Sequence, residues 1–112
     1  MIKVRYTEAN DRITHIRVLG HANAGPYGED LVCAGVSAIV YGALNSLQEE
    51  DAYDINLDEG YVQIFLVGEG NRHDDIVLEV MLTSLKTIAE SEPDYVSLQP
   101  FSKYEEDEQD EI

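Results

Sequence analysis

Apolar and polar positions alternate over Ile2 to Thr7, with Ile2, Val4 and Tyr6 on one face and Lys3, Arg5 and Thr7 on the other. Alternation of period two predicts a half-buried strand. Glu8 to Asp11 is a turn signal, and Arg12 to Leu19 repeats the alternation, with Ile16 and Val18 opposite His15 and Arg17. The two runs predict a hairpin. Gly20 to Asp30 breaks the pattern, because three glycines and a proline in 11 residues cannot hold a regular element. Leu31 to about Gln48 is apolar nearly all round, which predicts a helix in the middle of the core, with Asp30 as its N-cap. Gly35 and Gly42 share a face of it where another backbone can approach. Ala52 to Leu57 and Tyr61 to Val67 read as strands joined by Asp58-Glu59-Gly60, a three-residue hairpin loop with glycine at the positive-φ position. After a polar loop from Gly68 to Asp75, Asp74 or its neighbour caps a second helix that runs to about Ser91. Its stripe is Val77, Leu78, Met81, Leu82, Leu85, Ile88 and Ala89. Glu92-Pro93-Asp94 stops it, and Tyr95 to Gln99 forms a last strand. The order β-β-α-β-β-α-β predicts an α+β fold, an antiparallel-rich sheet packed with two helices.

Length and charge narrow the function. A chain of 112 residues suits one domain, placed at residues 1–101, and an apolar fraction of 44% is that of a globular protein. The 23 Asp and Glu against 7 Lys and Arg give a net charge of −16. Six of those acids stand between Glu105 and Glu111, so residues 102–112 are expected to form a disordered acidic tail, while residues 1–104 still carry 17 acids against 7 bases. Such a surface repels a phosphate backbone and an anionic membrane, which excludes direct nucleic-acid and membrane partners and favours a basic one. The longest mostly apolar uncharged run, Leu31 to Leu44, has 14 residues, short of the roughly 20 that span a bilayer. The alternating N-terminus lacks the apolar core of a signal peptide, so a cytoplasmic protein is expected. Cys33 is the single cysteine, which excludes an internal disulfide and a cysteine metal cluster.

Chemistry concentrates at one place. Cys33 stands in the first turn of the first helix, where unpaired N–H groups and the helix dipole favour a thiolate over a thiol. A nucleophile needs a base, and His21, 12 residues earlier where the second strand gives way to the glycine-rich loop, can face it across a strand–loop–helix turn. Backbone N–H groups near Cys33 would then serve as an oxyanion hole. Ser37, one turn on, and Asp30, three residues before, can orient the site. The blander readings stand beside these. A lone cysteine in Leu-Val-Cys-Ala-Gly-Val is commonly a small buried hydrophobe, a histidine after a strand can simply bond a loop carbonyl, and Tyr27 can be a lid or merely pack. His15, beside Arg17 on a polar strand face, and His73, at a helix start, read as solvated. The Asp74-Asp75 pair reads as helix-start electrostatics, and Glu69 with His73 lacks a third ligand, so no metal and no cofactor is assigned.

The run Gly20-His21-Ala22, then Gly28, then Asp30-Leu-Val-Cys33-Ala-Gly-Val-Ser37 resembles the signature of the ribosomal-processing cysteine protease family, Prp. The resemblance extends over residues 1–101 and shifts Cys33 from a packed thiol to a catalytic one. It implies a protease that removes the N-terminal extension of large-subunit ribosomal protein L-twenty-seven, with Cys33 as nucleophile, His21 as general base, and Asp30 and Ser37 as supporting residues. It further implies that residues 22–28, with Ala22, Gly25, Tyr27 and Gly28, form a mobile loop that closes over peptide, that an apolar groove lies beside Cys33, and that the protein is a homodimer. The alternative is a noncatalytic module that binds a basic ribosomal protein or assembly factor.

Overall fold

The computed structural model describes residues 1–26 and 28–102. The readings of Tyr27 and of the acidic tail beyond Ser102 lie outside these residues. Two strands open the chain, β1 (Ile2–Ala9) and β2 (Arg12–Leu19), joined through Asn10 and Asp11, both at positive φ (54° and 61°). That is the tight two-residue turn whose twist suits a hairpin, and short polar Asn and Asp tolerate it. Helix α1 (Leu31–Ser46), a short 3-10 turn (Glu50–Ala52), β3 (Tyr53–Asp58), β4 (Tyr61–Leu66), α2 (Arg72–Ser91) and β5 (Val96–Pro100) follow. Asp58 pairs with Tyr61, so the β3–β4 loop is Glu59-Gly60, one residue shorter than the sequence suggested, with Gly60 at φ +67°.

The five strands form one sheet in the order β3-β4-β2-β1-β5, antiparallel except for β1 beside β5. The fold is therefore α+β with a mostly antiparallel sheet, as the periodicity predicted. Ile2, Val4, Ile16, Val18, Val62, Ile64 and Val96 project from one face against the helices, where the α2 stripe of Leu78, Met81 and Leu85 is buried. Removing such side chains from water supplies roughly 1.5–3 kcal/mol each before the entropy of ordering is charged against it.

Four expectations are corrected. Helix α1 does not run through the middle of the core. It buries Val36, Val40, Ala43 and Leu44 but leaves Leu31 85% and Tyr41 46% exposed, because two helices in a single layer each keep an outward side. Gly35 does meet Ile88 of α2, with 3.4 Å available to a β-carbon, whereas Gly42 faces nothing within 4 Å. His15 is buried rather than solvated, and Arg17 beside it is buried too. His15 lies between Phe65 and Phe101, its ring 4.4 and 4.6 Å from theirs, and shares a 3.1 Å hydrogen bond with the Gln63 side chain. Asn71, not Asp74, caps α2, its side chain accepting the Asp74 N–H at 2.7 Å. Asp74 is fully buried and accepts the N–H groups of Gln48 and Glu49, 2.9 Å each, and a 2.8 Å bond from His73 Nδ1.

Candidate active site

The end of β2 places the first candidate. Gly20 has φ +103°, a β-carbon on it would lie 2.4 Å from the Met1 carbonyl oxygen, and its N–H donates to Gly60 O at 2.8 Å. Only glycine fits a left-handed residue squeezed between two backbones. The chain is thus pinned to the β3–β4 turn just before His21, whose imidazole lies against Gly60. A β-carbon on Gly60 would stand 2.6 Å from His21 Nε2. The His21 side chain is otherwise open to solvent.

Asp30 places the second. Its extended backbone (φ −80°, ψ 102°) starts α1, and Oδ1 accepts the Cys33 N–H at 3.0 Å. Its other oxygen accepts the Ala24 N–H at 2.9 Å, so one carboxylate fastens the glycine-rich loop to the head of the helix. The Cys33 N–H holds the Asp30 carboxyl below its ordinary range; partial burial pushes the other way and the Ala24 N–H adds to the lowering. Cys33 is half-buried, and the Ala22 N–H donates to its sulfur at 3.3 Å. The residue next to His21 therefore touches the thiol directly.

His21 and Cys33 line one cavity of about 690 Å³. Its floor is apolar, from Ile2, Val18, Val36, Val40 and Val62; Asp30, Ser37 and Tyr41 stand along α1, and Asp58 to Tyr61 form the opposite wall. The structure thus gathers His21, Asp30, Cys33, Ser37, Gly25 and Gly28 around one space. Ala22 is set apart from the lining, 3% exposed beneath it, and contributes its N–H. The oxyanion expectation changes in one respect: the Cys33 N–H is already taken by Asp30, so a bound oxyanion needs other donors. Sequence reading did not place the Gly60 turn in the site. Its positive-φ glycine was legible, but nothing local signals that it seats a histidine 39 positions earlier.

Among the described residues no group of three or more His, Cys, Asp or Glu is arranged to hold a metal ion, and no helix is long and apolar enough to cross a membrane.

Residues 1–97 match the family model for cysteine protease Prp. The chain is 38% identical over 95 residues to the ribosomal processing cysteine protease Prp of Staphylococcus aureus strain Mu50, covering 80% of this chain and 90% of that one. It is 36% identical over 97 residues to the protein of the same name from Bacillus subtilis strain 168, covering 79% and 87%. A crystal structure of an essential ribosomal processing protease Prp from S. aureus, in complex with a covalently linked product peptide, superposes with a TM-score of 0.81 at 34% identity, covering 90% of this chain and all of that one.

Proposed function

The chain belongs to the cysteine protease Prp family, and on that premise we propose that it is a Cys33–His21 endopeptidase cutting the N-terminal extension from large-subunit ribosomal protein L-twenty-seven. The observation that carries the residue roles is the shared cavity wall, with the Ala22 N–H on the Cys33 sulfur at 3.3 Å. His21 takes the thiol proton and the thiolate attacks the scissile carbonyl, forming a C–S bond and a tetrahedral oxyanion. Collapse breaks the C–N bond as His21 returns the proton to the leaving amine. Water, deprotonated by His21, then attacks the thioester, which releases the extension as an acid and restores the thiol.

Asp30 acts through structure: it holds the Cys33 backbone and, through the Ala24 N–H, tethers the loop that carries Ala22, Gly25 and Gly28, which in this reading moves to admit peptide. Ser37 borders the substrate space one turn along α1. The apolar floor suits apolar side chains of the extension, and Asp58 and Glu59, which also line the cavity, suit a basic protein substrate. The enzyme works in this reading as a homodimer in the cytoplasm. The test is incubation with L-twenty-seven carrying its extension. Wild type yields a single shortened product, and Cys33→Ala and His21→Ala each lose cleavage by a factor of at least about 10³. Cleavage by Cys33→Ala at the wild-type rate would leave only a noncatalytic module.

A further inference from the structure

Tyr41 is the only aromatic residue of α1, and it borders the catalytic cavity. Three, four, seven and eight places beyond Cys33 stand Val36, Ser37, Val40 and Tyr41, so one face of the helix presents all five to that space. Val36 and Val40 are 4% and 2% exposed and belong to the floor, whereas Tyr41 is 46% exposed. Tyr61 borders the cavity too, but Val62 beside it packs toward the helices, so strand alternation turns the Tyr61 ring to the opposite face of the sheet. Tyr41 is therefore the tyrosine whose ring an occupant of the cavity meets.

A half-exposed tyrosine is unremarkable alone; its position along the helix is what matters. Eight residues of α-helix place Tyr41 about 12 Å along the axis from Cys33. An extended peptide advances about 3.3 Å per residue, so a substrate laid along α1 from Cys33 reaches Tyr41 within three to four residues. Residues 34–40, which separate the two, carry no charged side chain, although 27% of the whole chain is charged. The carboxylates Asp58 and Glu59 line the cavity from the β3–β4 turn instead. An uncharged track suits apolar residues of the extension and not the basic protein behind the cleavage point, because a cation leaving water there meets no anion. A tyrosine ring at the end of the track offers contact to one more apolar side chain while its hydroxyl stays wet.

On the reading that Cys33 and His21 cleave such an extension, we propose that Tyr41 determines specificity. Its ring packs on an apolar side chain three or four residues before the one that carries the scissile carbonyl. The enzyme thus selects substrates by an anchor about 12 Å from the bond it cuts, and not by the residues flanking that bond alone.

The test is a set of peptides spanning the extension and its cleavage point, each with one residue changed to alanine, cleaved by wild type, Tyr41→Ala and Tyr41→Phe. With the parent peptide, Tyr41→Ala should lose about tenfold or more in kcat/KM, as expected for one lost apolar contact. Tyr41→Phe keeps the ring and should stay within about threefold of wild type. With alanine three or four residues before the scissile position, wild type should fall by a similar factor, but Tyr41→Ala should fall less than about threefold further, because the two changes remove one contact. Comparing peptides within one variant cancels any loss of folded enzyme. An unchanged parent rate in Tyr41→Ala would overturn the proposal. So would an equal loss on every peptide, the mark of a merely structural role, or coupling only at the residues flanking the bond or on the leaving side. Should wild type cleave none of the peptides, the protease reading itself falls, and the role of Tyr41 falls with it.

Discussion

Replacing Asp74 with alanine isolates a carboxylate that holds two parts of the fold together. Asp74 belongs to the first turn of α2, yet its oxygens accept backbone N–H groups from Gln48 and Glu49, which follow α1. The side chain is 0% exposed, and His73 at 47% exposure completes its shell. Hydrogen bonds to a charged group contribute about 1.5–3 kcal/mol each. Two backbone bonds lost, with the half-exposed His73 bond counted for little, give a loss of about 3–6 kcal/mol. In a domain of this size that lowers the melting temperature by roughly 12–35 °C. Neighbouring Asp75, whose ion pair with Arg12 is 26% and 34% exposed, should cost far less when replaced. The pH dependence has a definite sign. Burial pushes the Asp74 carboxyl up, but the Gln48, His73 and Glu49 hydrogen bonds together outweigh it and the group is lowered. A lowered carboxyl stabilises the fold above the unfolded value of about 3.9, and that stability is lost as pH falls through the folded one. Thermal melts of wild type and Asp74→Ala from neutral pH downward should therefore converge in acid below about pH 4. A fall of under about 4 °C at neutral pH, or a gap that does not close in acid, would refute the reasoning.

Other changes test other contacts. Gly60→Ala drives a β-carbon toward His21 Nε2 at φ +67°; cleavage should fall at least tenfold while the melting temperature drops only as far as about 1–2 kcal/mol requires. Tyr53→Phe removes a buried hydroxyl with no hydrogen-bond partner among the described residues, so calorimetry should show a protein unharmed or up to about 1 kcal/mol more stable. Asp30→Ala frees the Ala24 and Cys33 N–H groups together; amide exchange at both should quicken, and Asp30→Asn should restore only part of the protection. The wild-type Asp30 contribution, a lowered carboxyl, should be lost in acid below about pH 4, read as faster exchange at those two amides.

Local pattern carried most of the fold. Period-two alternation located the strands and the α2 stripe located its buried face, because both depend on one layer of neighbours. Helix α1 misled because apolar composition does not say how many sides are covered, and Leu31 and Tyr41 face outward. His15 misled for the converse reason: polar strand positions read as wet, but Phe65 and Phe101 arrive from β4 and the end of β5 to enclose it. Asp74 looked like a cap because its partners, Gln48 and Glu49, lie 26 and 25 positions away. At the site, His21, Asp30 and Cys33 stand close in sequence and were legible, whereas the Gly60 wall depends on strand pairing.

The most direct measurement is intact-mass spectrometry of the protein, acid-quenched while it turns over a peptide spanning the extension and its cleavage point. A thioester at Cys33 predicts a transient species heavier than the free enzyme by the mass of the acyl-side fragment, mapped to Cys33 after digestion and missing in Cys33→Ala. Turnover by Cys33→Ala, or an adduct on any other residue, would contradict it.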